Sequence, residues 1–223
     1  MRLYTSSTSP YARKVRMVAI EKGLALEEVA VTPPIAASPV AEHNPLGKIP
    51  TLVRADGRPL YDSRVIAQYL ELLQPSPALL PSEADARVEV LRWEALADGV
   101  SDAAVLRMTE DRRAQPEAQQ KQHQLRKIEA ALTLAQAALS GRRYLVGDQL
   151  TLADLALVAA CGYASLRGAL DLSDGRWSVL ANWLSVMHER PSVAATVPSV
   201  AATVPSVAVT VPSVAVTVPS VPQ

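Results

Sequence analysis

The apolar positions change period repeatedly along the first third of the chain. Residues 1–4 form a short apolar run that gives way to Thr5-Ser6-Ser7-Thr8-Ser9-Pro10, which predicts a strand running into a polar loop. Ser9 has the chemistry of an N-cap and Pro10 that of a first helical residue. Ala12, Val15, Val18 and Ala19 follow at helical spacing on one face, and Gly23 closes the helix. Residues 26–31 alternate as a second strand, 32–39 are a proline-rich loop, and 40–43 hold at most one helical turn. Pro50 has no N–H for a ladder, so it belongs at a strand's first residue or on an edge, with Thr51-Leu52-Val53 as the strand. An Ile49–Pro50 bond in trans makes it an ordinary strand opener. A cis bond would turn the N–H and C=O of Ile49 outward, free to pair with an extended ligand. Asp56-Gly57 is a hairpin turn, Pro59-Leu60-Tyr61 a short edge strand, and Asp62-Ser63 the cap of a helix that turns Ile66, Tyr69, Leu70 and Leu73 inward. The order is strand, helix, strand, loop, strand, strand, helix: a parallel crossover unit, then a hairpin with a covering helix.

Residues 74–82 carry three prolines and no period, and read as a linker. Beyond them the pattern is helical only. A long helix is expected over about 83–113, and Pro116 can open the next, where Leu125, Ile128, Leu132, Ala135 and Leu139 step by three and four until Gly141. In Leu150-Thr151-Leu152-Ala153-Asp154-Leu155, Thr151 and Asp154 make a capping box and Leu150 with Leu155 a hydrophobic staple. The helix they open, 152–166, is almost wholly apolar and should be central to the helical part; a last helix covers about 177–190. The expected organisation is an α/β unit over 1–73, a linker over 74–82, an all-helical unit over 83–190 and a tail over 191–223. The tail repeats Pro-Ser-Val-Ala-Ala/Val-Thr-Val. Its seven-residue period is that of a coiled coil, but a proline in every copy, no charged flanks and no leucine seam argue for an extended or disordered segment, grown by duplication of a short terminal stretch.

Composition narrows the function classes. The 22 lysines and arginines balance 22 aspartates and glutamates, so no net field draws the chain to nucleic acid or anionic lipid. Three tryptophans and six tyrosines come without a basic patch. The single cysteine, Cys161, excludes an intramolecular disulfide and fits a reducing compartment; it lies in the apolar helix, where burial leaves it inert. No apolar run is long enough to span a bilayer and no signal peptide is evident, so the expected location is the cytoplasm.

Residues 9–16 (SPYARKVR), 44–53 (NPLGKIPTLV), 62–71 (DSRVIAQYLE) and 147–154 (GDQLTLAD), in this order, resemble the glutathione transferase family, and within it a bacterial, serine-type member. The resemblance covers residues 1–190. It implies a thioredoxin-like N-terminal domain that binds glutathione, followed by an all-helical C-terminal domain. It further implies a cytoplasmic homodimer that acts in detoxification, with glutathione as a substrate and no metal or tightly held cofactor.

By resemblance Ser9 is the catalytic hydroxyl that hydrogen-bonds the glutathione sulfur. Ile49, before the family's cis proline (here Pro50), pairs its backbone with the cysteinyl part. Asp62 and Ser63 hold the γ-glutamyl end. The residue chemistry agrees. A free thiol titrates near 8.5, and a helix N-terminus with a hydroxyl donor favours its anion. Helix starts take carboxylates, and Asp62 can pair with an ammonium. Ser6, Ser7 and Thr8 are rivals of Ser9, with Thr8 the candidate if the helix starts one residue earlier. Each cap also has a purely structural reading. Two departures matter. Serine in place of the cysteine of thiol-exchange members cannot form a mixed disulfide. At 32–34 there is no basic residue to hold the glycyl carboxylate, with Lys48 the nearest substitute and His43 similarly placed; both otherwise face solvent. On the long helix Asp98 and Asp102 share a face, read as solvated or as reaching a neighbour's glutathione amine, and Arg107 and Trp93 are weaker candidates for a second-substrate pocket. The expected reaction is attack of the glutathione thiolate, held by Ser9, on an apolar electrophilic small molecule; the alternative is a non-catalytic binding or regulatory protein on the same fold.

Overall fold

The computed structural model describes residues 1–31 and 38–198. Strand β1 (Arg2–Thr5), helix α1 (Pro10–Glu21) and strand β2 (Glu27–Ala30) form the crossover unit, with β1 and β2 parallel. A 3₁₀ turn over Pro39–Glu42 leads to β3 (Thr51–Val53) and β4 (Pro59–Leu60), and helix α2 (Ser63–Leu73) follows. The sheet order is β2-β1-β3-β4, with β3 antiparallel to both neighbours. Register sorts the side chains by the strand period of two. Leu3 sits opposite Leu52, and both join the main core beneath α1 and α2. Tyr4 is on the other face, in a small cluster with Val31 and Val40. The Ile49–Pro50 peptide is cis, as is Tyr61–Asp62.

The rest is helical: α3 (Ala84–Asp111), α4 (Ala118–Leu139), α5 (Leu152–Leu166), α6 (Ser178–His188) and α7 (Pro191–Ala194). The fold is therefore a thioredoxin-like α/β domain followed by an all-helical domain. Helix α5 starts and ends where its caps and apolar run predict. The capping box is formed, with Asp154 accepting from the Thr151 N–H at 2.8 Å and the Thr151 hydroxyl at 2.9 Å. Asp154 also takes the Leu145 N–H at 2.9 Å, tying the preceding loop to the helix start. Burial pushes its carboxyl up against these hydrogen bonds. The segment between the domains is fastened at several points. Glu71 accepts from the N–H groups of Leu79 and Leu80 and pairs with Lys22, while the Leu152 N–H donates to the Leu79 carbonyl at 2.9 Å.

Three expectations need correction. The first tail copy is not extended: residues 191–194 are the helical turn α7, packed on α1 with Val193 wholly buried. The remaining copies lie outside the described residues, as do 32–37 with the gap in basic residues. Asp98 is not on a solvated face; it is buried in a charge cluster. Trp93 packs into the core and the Arg107 Nη1 donates to the Arg167 carbonyl, so neither belongs to the second-substrate wall. The helix α1 stripe is also wider than its apolar spacing implies. Helices α2, α3, α5 and α7 pack around it and bury Arg13 and Lys14 as well.

Candidate functional site

Helix α1 starts at Ser9, whose extended backbone and hydroxyl accepting from the Ala12 N–H at 3.2 Å make it the N-cap. That bond uses an oxygen lone pair and leaves the hydroxyl hydrogen available. The Ser9 N–H in turn donates to the Ser6 hydroxyl at 3.2 Å, which fixes the loop ahead of the helix. Asp62 caps α2 through the Arg64 N–H at 3.1 Å. Ser63, at the first helical position, is only 2% exposed, and its hydroxyl has no hydrogen-bond partner among the described residues. Between the two caps runs the strand-opening loop. Asn44 holds it in shape by donating to the Lys48 carbonyl and the Thr51 hydroxyl, each at 3.0 Å. Neither backbone group of Ile49 is paired within the described residues.

These pieces face one cavity of about 990 Å³. Its floor is the loop and helix starts: Ser7, Thr8, Ser9, Ile49, Pro50, Asp62 and Ser63. Its far wall comes from α3 and α5, with Val105, Leu106, Met108 and Tyr163 as the apolar part and Arg112 and Arg167 beside them. Neither arginine has a carboxylate partner among the described residues. Arg167 lies over the Tyr163 ring at 5.2 Å, and its Nε is buried without a hydrogen-bond partner. All five residues expected to meet the tripeptide therefore share one cleft, and the rivals Ser6, Ser7 and Thr8 line it too. Lys48 is at its exposed edge, whereas His43 is outside it, stacked on Tyr4 at 5.4 Å between ring centres.

Local sequence signals did not reveal the charged frame behind the cleft. Lys14 and Glu94 are each about 1% exposed, and the Lys14 ammonium donates to Glu94 at 2.8 Å and to both Asp98 oxygens at 2.8 and 2.9 Å. Arg64 reaches the same Asp98 at 2.9 Å from the start of α2. One carboxylate thus joins α1, α2 and α3 just behind the two caps. Two acids one turn apart on a helix repel, so Glu94 and Asp98 require a cation between them. That is the one sequence clue that could have found Lys14. Tyr11 was also missed: its hydroxyl donates to Asp102 across the cleft. Burial, then that bond, push its phenol far above its ordinary range, so it stays a neutral donor. Cys161 takes no part; burial pushes its thiol up to about 12.

Comparison with known proteins agrees with this fold. Residues 3–78 match the family model described as glutathione S-transferase, N-terminal domain, and residues 96–191 that of the C-terminal domain. The chain is 38% identical over 172 residues to the uncharacterized GST-like protein YibF of Escherichia coli K12, covering 75% of this chain and 83% of that protein. Among solved structures it is similar to a glutathione S-transferase from Methylobacillus flagellatus with GSH bound, at 43% identity and a TM-score of 0.83, covering 89% of this chain and 99% of the other. A second, from Methylobacterium radiotolerans in complex with glutathione sulfonate, gives 40% identity and a TM-score of 0.84, covering 92% and 98%.

Proposed function

The chain belongs to the glutathione S-transferase family, and from that premise we propose that it conjugates the thiolate of glutathione to an electrophilic small molecule. The observation that carries this reading is the convergence of Ser9, Ile49-Pro50 and Asp62-Ser63 on one cleft whose opposite wall is apolar. The sulfur takes the free hydrogen of the Ser9 hydroxyl, at the positive end of α1, and both effects favour its anion. Ile49 offers its unpaired N–H and C=O to the cysteinyl unit as a strand neighbour would. The γ-glutamyl carboxylate meets the Ser63 hydroxyl and the start of α2, and Asp62 takes the ammonium. Lys48, at the cleft's edge, is the cation for the glycyl carboxylate.

The electrophile then lies against Val105, Leu106, Met108 and Tyr163. Arg112 and Arg167 favour an acceptor with an apolar body and an acidic group, since arginine without a carboxylate partner is suited to a carboxylate. Holding both reactants in one desolvated cleft supplies the rate by proximity. The α2 face away from the core exposes Val65 and Leu72, two turns apart on one side, which supports pairing of two chains through this helix.

Calorimetry with glutathione, followed by conjugation assays over a panel of electrophiles, tests the proposal. Binding with turnover is the expected result. Binding without turnover on any electrophile would make this a non-catalytic member of the fold, and no binding would overturn both readings.

A further inference from the structure

The tail begins by docking, and the dock is built from buried charge. Arg13, 3% exposed, extends from α1 past Gly162 of α5. A Cβ at position 162 would stand 2.2 Å from the Arg13 Nη1, so any other residue there would displace the guanidinium. Arg13 has no carboxylate partner among the described residues. Its guanidinium donates to the carbonyls of Val158 and Val193, each at 3.3 Å, and to the Thr196 hydroxyl at 3.4 Å. Glu21, also on α1, accepts from the Ser192 hydroxyl and from Arg190 at 2.8 and 3.0 Å. Val193 fills the apolar floor, and Thr196 donates back to the Ser192 carbonyl at 2.8 Å. The dock thus holds positions two, three and six of the seven-residue unit, a serine, a valine and a threonine.

Those positions do not change along the tail. Copies begin at Pro191, Pro198, Pro205 and Pro212, and they differ only at position five, alanine in the first two and valine in the last two. Ala195, which holds position five in the docked copy, is exposed. The second copy, 198–204, is identical to the first in all seven residues. The dock therefore cannot distinguish them by any side chain within the unit. Moving the second copy into place requires 191–197 to loop out. Seven residues can reach at most about 24 Å and so can leave and return, and the loop they form between α6 and α7 carries a closure cost that grows only slowly with length. Arg190 is the N-cap of α7 with the first copy seated, and Val197 takes that place for the second, so the Arg190–Glu21 pair is made with the first copy while the contacts to the unit itself are the same for both.

We propose that the Arg13–Glu21–Gly162 dock is a binding site for a Pro-Ser-Val-Ala-x-Thr segment, and that the second copy of the same chain occupies it in exchange with the first. The terminal Pro-Ser-Val-Pro-Gln lacks the threonine and is not a ligand. A tethered copy outcompetes a copy on another molecule because its effective concentration is in the millimolar range.

The test uses the full chain throughout. Val193→Asp alone spoils the first copy; Val193→Asp with Val200→Asp, Val207→Asp and Val214→Asp spoils all four. The proposal expects the single variant to melt within a few degrees of the parent and the fourfold variant to melt about 10 °C lower. It also expects the triple variant that keeps Val193 to melt like the parent. A single variant that loses as much as the fourfold one overturns the proposal. If the fourfold variant does not fold, the single variant decides: a cooperative melt near the parent's supports exchange, and aggregation or a 10 °C loss overturns it. Rescue of the single variant that vanishes on dilution places the second copy on another molecule and overturns the same-chain assignment.

Discussion

At the scale of residues, the proposed chemistry rests on one hydrogen. The Ser9 oxygen is engaged by the Ala12 N–H, so Ser9→Ala removes both a cap and a donor to the sulfur. A hydrogen bond to a charged group contributes about 1.5–3 kcal/mol, so turnover should fall about 10- to 100-fold while glutathione affinity changes little. The same energy amounts to about one to two pKa units. The bound thiol should therefore titrate below about 8.5 in the parent, and the pH–rate profile of the alanine variant should shift upward by that amount. Unchanged turnover would move the role to Thr8, Ser7 or a backbone amide. At the other end of the cleft, Arg167→Ala should lower kcat/KM about tenfold more for acceptors carrying a carboxylate than for neutral ones of the same shape, as expected for loss of a charge-assisted contact. Equal losses would return the acceptor to a purely apolar class.

At the scale of elements, what could be read from the sequence was what is encoded locally. Ser9-Pro10, Asp62-Ser63 and Thr151 to Asp154 are caps whose partners lie within three residues. The elements they open appear where they are expected. The frame behind the cleft was not legible, because Lys14 finds Glu94 and Asp98 at separations of 80 and 84 residues and Arg64 finds Asp98 at 34. The local pattern shows only that Glu94 and Asp98, one turn apart, call for a cation, and not which residue supplies it. The tail was misjudged at its start for a related reason. Proline every seven residues rules out a long helix but permits a single turn with proline at its first position, and the buried arginine that stabilises that turn is on α1. Lys14→Met tests the frame. It leaves two carboxylates in a buried site without their central cation, a class of change that costs about 3–5 kcal/mol. For a chain of this size that is a fall of about 10 °C in melting temperature. A smaller fall for the variant that adds Glu94→Gln would show that repulsion between the acids, not lost packing, is the cause.

At the scale of the whole molecule, helix α3 joins the two domains chemically. Glu94 and Asp98 hold α1 and α2, Val105 and Met108 wall the cleft, and Val90, Ala97 and Val100 pack into the core. A second chain, if it binds, does so outside this arrangement. The inner face of α2 is committed to the core through Ile66 and Leu70, while Leu72, 77% exposed, and Val65 on the opposite side have no cover among the described residues. Burying an apolar side chain of this size is worth about 1.5–3 kcal/mol, and a two-fold interface counts each such residue twice. Leu72→Glu should therefore remove that gain at both places and set two like charges against each other. Light scattering coupled to gel filtration is expected to give twice the 23.8 kDa chain mass for the parent and a shift toward the monomer for the variant. The circular dichroism spectrum should not change, because Leu72 supports no contact within its own chain's core. A variant that stays dimeric would place the interface on another face, and a monomeric parent would show that one chain holds a complete site.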